Sequence, residues 1–254
     1  TSGDTGSAAL YGFKNIDNIK ICVFYPKVGI SEIQKKQMTA VDANNVFVCG
    51  IEGNFDNAQS GVKSIFENID KDFLQEKNII LSSANSINIG RLVPQIAYYF
   101  YAYAKLVEDA EIVEGKQINF CVPTGNFGNI LAGFFAKLLG LPIKKLICAS
   151  NENNVLTEFL QTGIYDKNRE LKHTLSPSMD ILIASNLERL LYLISGDTAF
   201  VNQCMVDLKQ SGKYDIGNDK LEKIKQSFSC GYADDNDTKN NIKEVFEKFN
   251  YLID

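Results

Sequence analysis

Pro123-Thr124-Gly125-Asn126-Phe127-Gly128-Asn129 is the stretch that decides the fold of this chain. Residues 117–122 before it are apolar and β-branched, which predicts a buried strand. Residues 130–139 after it are apolar and are followed by Gly140, which predicts a helix that ends there. The amides at a helix N-terminus lack internal partners and the helix dipole favours negative charge, so this strand, turn and helix predict an anion site.

The two glycines of this turn set its chemistry apart from the common nucleotide motifs. Gly125 and Gly128 let the backbone approach a phosphate without a Cβ in the way. No Lys-Ser/Thr pair follows the second glycine, which excludes a P-loop. The absence of a third glycine makes the turn a poor dinucleotide fingerprint. An ordinary strand-to-helix connection is the alternative, and the asparagine-rich filling favours the anion site.

Strand and helix patterns alternate along most of the chain. The predicted strands are 19–25, 46–51, 78–81, 117–122 and 143–150, and the predicted helices are 31–41, 55–69, 92–107, 130–139, 155–161 and 177–194. Such alternation with short links predicts an α/β fold of parallel sheets with flanking helices and right-handed crossovers. Three helical patterns at 198–210, 219–228 and 237–249, with lysine and glutamate outward, predict a helical insertion at about 198–250.

The composition excludes several classes of protein. The chain has 26 Lys and Arg against 31 Asp and Glu, a net charge of −5, so we expect no nucleic-acid partner. No uninterrupted apolar segment predicts a membrane span, and no leader suggests export, so we expect a cytoplasmic protein. The six scattered cysteines form no Cys-x-x-Cys pair, which predicts reduced thiols and no metal site. We assign no role to His173.

Two further polar segments carry candidate binding residues. The first is Thr1-Ser2-Gly3-Asp4-Thr5-Gly6, whose small hydroxyl side chains and amides suit a carboxylate; by itself it is equally a helix cap. The second is Ser83-Ala84-Asn85-Ser86-Ile87-Asn88-Ile89-Gly90-Arg91, in which Arg91 can bind an oxyanion bidentately. A solvated loop with a surface ion pair is its alternative.

The three motifs, in this order, resemble the threonine synthase family of pyridoxal 5'-phosphate (PLP) enzymes, which have the tryptophan-synthase-like fold type II. The resemblance covers most of the chain and is clearest up to about Asn151. It implies two Rossmann-like subdomains: a smaller α/β domain at 1–90, truncated at its N-terminus, and a larger one at 91–254 that carries the helical insertion and is truncated at its C-terminus. The family reaction, that of a carbon-oxygen lyase acting on phosphates, converts O-phosphohomoserine and water to L-threonine and phosphate.

The resemblance also implies site residues. It gives the cofactor to Thr124, Gly125, Asn126, Phe127, Gly128, Asn129 and Asp4, and the substrate to Ser2, Thr5, Asn85, Ser86, Asn88 and Arg91. The lysine that forms the Schiff base with PLP lies upstream of the first motif in the family, and the group at the pyridine nitrogen lies beyond Asp254. No catalytic residue is therefore expected within this chain, and we expect the isolated chain to be inactive.

Other functions stay open from the sequence. A second fold type II PLP enzyme, such as a threonine dehydratase or cysteine synthase, is the nearest alternative, but such enzymes need no second anion site at residues 85–91. A non-catalytic phosphate-binding module is an alternative from another class, and a nicotinamide dehydrogenase is a more distant one. The sequence is silent on oligomeric state.

Overall fold

The computed structural model of the chain describes residues 4–27, 30–53 and 55–253, and at 55 and 56 the backbone only. It divides into two compact units, Thr1–Asn88 and Ile89–Asp254. Ser2 lies outside the described residues. None of the described helices is long and apolar enough to cross a membrane.

Unit 1 is built around two parallel strands. Its elements are α1 (Asp4–Phe13), β1 (Ile21–Pro26), α2 (Glu32–Thr39), β2 (Val46–Ile51), α3 (Phe55–Asn68) and α4 (Lys71–Glu76). The strands pair in register from Ile21 opposite Val46, and Leu10 and Met38 are buried against them. Ser31 and Gln34 form a capping box at the start of α2, because each side chain accepts from the other residue's amide.

The predicted strand at 78–81 is wrong. These residues form neither helix nor strand, and Ile80 is 93% exposed. The chain leaves α4 through a turn in which the amide of Ile79 donates to the carbonyl of Leu74, and residues 78–81 pair with neither β1 nor β2. A short apolar run without a neighbouring strand has no ladder to join, so the apolar pattern misled the prediction.

Unit 2 contains the rest of the chain. Its elements are α5 (Ile89–Leu92), a 3₁₀ turn (Val93–Gln95), α6 (Ile96–Glu108), β3 (Ile118–Pro123), α7 (Gly128–Leu138), β4 (Ile143–Ser150), α8 (Val155–Thr162), β5 (Ile164–Asp166), a 3₁₀ turn (Pro177–Met179), α9 (Leu187–Ser195), α10 (Thr198–Gln210), β6 (Lys213–Asp215), α11 (Asn218–Ser227), β7 (Phe228–Tyr232) and α12 (Asp235–Phe249).

The main sheet of unit 2 has the strand order β3-β4-β7, and both pairings are parallel. β7 lies within the stretch predicted as a helical insertion, where the three expected helices are also found. It was missed because its five residues contain Ser229 and Gly231 and follow α11 without a loop. A small antiparallel pair of β5 and β6 was not predicted either.

The helix predicted at 177–194 begins only at Leu187. Residues 177–179 form a single 3₁₀ turn, which ends where Asp180 accepts hydrogen bonds from the side chains of Asn151, Asn153 and Thr174. Residues 181–184 form neither helix nor strand, and the Tyr165 hydroxyl donates to the carbonyl of Leu182. These long-range polar contacts override the local helical pattern.

Candidate functional site

The turn between β3 and α7 is anchored to the main sheet by its first residue. The amide of Thr124 donates to the carbonyl of Ala149 at 2.8 Å, which continues the pairing of β3 with β4. Its hydroxyl donates to the carbonyl of Val122 at 2.6 Å. Both donors of Thr124 are thus used inside the protein, and the side chain is buried. Its contribution is to fix where the turn starts.

Phe127 gives the turn its shape. It has left-handed backbone angles, φ 62° and ψ 8°, which are costly for a residue with a side chain. The ring is 1% exposed and packs on that of Phe228, with 5.7 Å between centroids. Burial of the ring holds the strained backbone in place, so Phe127 offers the site its backbone and not its side chain.

The start of α7 is uncapped. Phe127 precedes the helix as its N-cap residue, and no side chain accepts a hydrogen bond from the first-turn amides. Within the described residues, the amides at 128, 129 and 130 donate to no protein acceptor, whereas the next amide, of Leu131, donates to Phe127. Three unused amides at the positive end of a helix dipole are a strong electrostatic attraction for an anion.

Both glycines of the turn lie against other segments of unit 2. A Cβ at Gly125 would stand 2.9 Å from the backbone carbonyl oxygen of Ser178, closer than real Cβ atoms approach. A Cβ at Gly128 would stand 3.4 Å from the side-chain nitrogen of Asn186, an ordinary contact. Glycine at 125 is therefore required by packing, while glycine at 128 leaves the helix start open to a ligand.

Asn126 is held from the side of α9. Its carbonyl accepts two hydrogen bonds from Asn186, from the amide at 3.2 Å and from the side-chain nitrogen at 3.0 Å. The hydroxyl of Ser185 donates to the side-chain oxygen of Asn126 at 3.4 Å. The segment before α9 thus fixes the peptide group between Asn126 and Phe127.

Asn129 is held from the side of α6. Its side-chain oxygen accepts from the Tyr99 hydroxyl at 2.6 Å, and its side-chain nitrogen donates to Gln95 at 3.0 Å. Burial raises the pKa of Tyr99, so its hydroxyl stays protonated as a donor. The Tyr99 ring packs against Gly133, where a Cβ would stand only 2.6 Å from the ring. The ring therefore fits because residue 133 is a glycine. The Asn129 side chain is thereby committed within the protein.

Arg91 lies in α5 and is half-buried. The side chain of Gln95 donates to the backbone carbonyl of Arg91 and accepts from Asn129. A single glutamine therefore connects the segment of Arg91 with the start of α7, both within unit 2.

Three of the predicted substrate residues of unit 1, Asn85, Ser86 and Asn88, lie in a loop with its own hydrogen bonds. The side chain of Asn85 accepts from the Ser83 hydroxyl at 2.7 Å and from the amide of Ile87 at 3.1 Å. The side chain of Asn88 donates to the Ser83 carbonyl at 2.6 Å. These two asparagines therefore shape the loop, in which Ser86 is half-buried.

The first motif enters α1 directly. Asp4 begins the helix and its carboxylate accepts from the side chain of Gln34 at 2.9 Å, which connects α1 with α2. Thr5 lies in the first turn of the same helix and is half-buried.

Sequence reasoning missed three residues that support the turn: Gln95, Tyr99 and Asn186. Tyr99 falls within the predicted helix 92–107, and it and Tyr103 lie one turn apart on the buried face of α6. Asn186 falls within the helix predicted at 177–194. No local pattern in the sequence indicates the roles of these three residues.

No protein-family model matches the chain. It is 41% identical to the threonine synthase of Saccharomyces cerevisiae, over 100% of this chain and 51% of that protein. It is 42% identical to human threonine synthase-like 1, over 100% of this chain and 35% of that protein. A crystal structure of PLP-bound threonine synthase from Brucella melitensis matches with a TM-score of 0.84 and 41% identity, over 100% of this chain and 53% of that one.

The chain spans about half the length of the threonine synthases that it matches. The predicted resemblance to this family is confirmed over the whole chain, and so is the predicted fold class.

Proposed function

We propose that the protein to which these residues belong is a threonine synthase, a PLP-dependent lyase that converts O-phosphohomoserine and water to L-threonine and phosphate. The observation that carries this proposal is the turn 124–129 with its uncapped helix, in a chain that is similar over its whole length to threonine synthases. The similar protein from Brucella melitensis is described as PLP-bound.

The residues of the turn fit the phosphate group of PLP. Three amides without protein acceptors are available as donors to a phosphate, and charge-assisted hydrogen bonds of this kind are the stronger ones. Gly125, Asn126, Gly128 and Asn129 are partly exposed, so a ligand reaches them, while Phe127 is buried. We propose that the backbone from Gly125 to Asn129 holds the cofactor phosphate.

PLP supplies the electron sink that stabilises negative charge on substrate carbon atoms, and the protein supplies binding and orientation. Because the turn is fixed on both sides, by Asn186 and by Tyr99, it binds the phosphate without first becoming ordered. A fixed phosphate in turn fixes the ring attached to it, which is what orientation requires.

Arg91 is proposed to bind the phosphate that leaves the substrate. A guanidinium binds phosphate bidentately, and an enzyme that expels phosphate gains rate by stabilising the charge of the leaving group. The resemblance gives the same role to Asn85, Ser86 and Asn88. It gives the substrate carboxylate and cofactor ring to Ser2, Asp4 and Thr5.

The 254 residues alone are proposed to bind an anion and not to catalyse the reaction. No lysine within the described residues hydrogen-bonds to the turn, and orientation of the lysine that forms the Schiff base is a large part of this catalysis. We further propose a cytoplasmic enzyme with a small-molecule substrate and no nucleic-acid partner, in keeping with the net charge of −5.

Amide NMR of the chain tests the anion site. Titration with inorganic phosphate, and separately with PLP, is expected to shift the amide signals of Gly128 and Asn129. Gly163 and Gly217 serve as controls because their amides already donate within the protein. Unmoved signals at 128 and 129 with millimolar ligand would remove the cofactor assignment. Phosphate release from O-phosphohomoserine by the whole protein, with PLP present, tests the reaction.

A further inference from the structure

Asn186 is the most completely buried polar residue beside the turn, at 0% exposed. It stands at the N-cap position of α9, yet its side chain does not cap that helix. Both its amide and its side-chain nitrogen donate to one atom, the carbonyl oxygen of Asn126. Because this buried side chain hydrogen-bonds to a neighbouring loop and does not cap its own helix, we expect it to fix the conformation of that loop.

The effect of these two hydrogen bonds on the turn follows from peptide geometry. In a trans peptide the carbonyl and the next amide point in opposite directions, and the described chain has no cis peptide. Holding the Asn126 carbonyl toward Asn186 therefore directs the Phe127 amide to the opposite side. The left-handed Phe127 then turns the chain into α7, an arrangement in which successive amides form an anion-binding concavity.

The position of Asn186 is itself fixed by hydrogen bonds from other residues of unit 2. Arg189, one turn along α9, donates to the side-chain oxygen of Asn186, which fixes which end of the side-chain amide faces the turn. The Tyr165 hydroxyl donates to Leu182 and accepts from the amide of Ala184, each at 2.9 Å, which fixes the segment leading to Asn186. Tyr165 is buried and stacks on Tyr214.

We infer that Asn186 is a positioning residue for the anion site: it orients the 126–127 peptide so that the amides that follow converge on a phosphate. Asn186 does not contact the phosphate itself. The inference rests on the proposed function in one respect, that the turn binds the cofactor phosphate.

The test compares two variants with a matched control. Asn186→Ala removes the side-chain donor, and Asn186→Asp keeps the size and the acceptor for Arg189 but places a carboxylate oxygen against the Asn126 carbonyl. Tyr103→Phe is the control, because it removes a buried hydroxyl that binds Lys116 and Gly115 near the other end of β3. Unfolding midpoints of all three are measured alongside.

In the chain as it stands, inorganic phosphate is the probe and the amide signals of residues 127–129 are the readout. We expect the dissociation constant to rise about tenfold or more in both Asn186 variants, since a hydrogen bond that orients the donors is lost, and to stay unchanged in Tyr103→Phe. In the whole protein, PLP affinity is expected to fall while the KM for O-phosphohomoserine at saturating PLP stays the same.

The outcomes separate this inference from the proposed function. If the unaltered chain binds phosphate at residues 127–129 and both Asn186 variants bind equally well, the inference is wrong and the cofactor site stands. If the unaltered chain does not bind there, the cofactor site itself is wrong. A loss of affinity that is equal in Tyr103→Phe would show a general effect of stability and overturn the inference. Should neither Asn186 variant fold, Arg189→Gln replaces them, with the same expected fall in phosphate affinity and the same refuting result.

Discussion

The two glycines of the turn provide a test in which one substitution, to alanine, has opposite expected effects. At Gly125 the new Cβ would stand 2.9 Å from the Ser178 carbonyl oxygen. This is a backbone atom in a 3₁₀ turn, and the residue after the turn, Asp180, accepts a hydrogen bond from the Thr174 side chain, which limits how far the turn can move. At Gly128 the nearest atom is the Asn186 side-chain nitrogen at 3.4 Å, which needs no displacement.

The magnitudes follow from packing and backbone entropy. Overpacking of a buried contact costs about 1–3 kcal/mol, so Gly125→Ala should lower the melting temperature of unit 2 by about 2–12 °C. Gly128→Ala occupies the first position of α7, where alanine is favoured over glycine by about 0.5–1 kcal/mol. The free energy of unfolding should therefore fall in the first variant and stay level or rise in the second.

Amide hydrogen exchange of β3 and β4 measures this free energy within unit 2, independently of unit 1. Thermal denaturation followed by circular dichroism provides a second measurement. Equal destabilisation by both substitutions, or none by Gly125→Ala, would refute the assignment of the close approach to Ser178.

Three further predictions concern single side chains. Arg91→Ala in the whole protein should lower kcat/KM for O-phosphohomoserine by about tenfold to 150-fold, from a loss of about 1.5–3 kcal/mol, with PLP affinity retained. Steady-state kinetics and a PLP titration measure the two quantities, and a parallel fall in kcat/KM and PLP affinity would contradict the assignment. Tyr99→Phe should leave the Asn129 side-chain oxygen without that donor and destabilise unit 2 by about 1–3 kcal/mol, measured by urea denaturation; an unchanged midpoint contradicts it. Burial raises the pKa of Cys148 to about 11, so at about pH 8 only about one in a thousand of these thiols is ionised and alkylation should be slow; mass spectrometry that finds Cys148 labelled first would overturn this.

The sequence predicts the elements whose signals are local. β1 to β4 were found because each is an apolar run bounded by turns, and α2 because Ser31 and Gln34 form its capping box. β7 has no such signal: it is a strand because β4 lies beside it. Residues 78–81 have the signal and no partner strand, so the pattern alone produced a false strand.

The residues of the candidate site likewise divide into those with a local sequence signal and those without one. The turn 124–129 and Arg91 were found from the sequence because glycines and asparagines follow an apolar run directly before a helix, and because an arginine can bind an oxyanion bidentately. Asn186 lies 60 residues from the carbonyl that it holds, and Tyr99 lies 30 residues from Asn129. Their roles come from packing at long sequence separation, which no local pattern encodes.

The contact of Phe127 with Phe228 has a consequence for the order of folding. The left-handed residue is supported by a ring that follows it by about a hundred positions, and Phe228 also packs on Phe134 of α7 at 5.3 Å. Contacts so far apart in the chain form late, because a long loop must close before they are made. During synthesis, β3 and α7 leave the ribosome well before β7 exists. The ability to bind phosphate should therefore arise in one step, when β7 docks beside β4, and a nascent chain that ends before residue 228 should lack it.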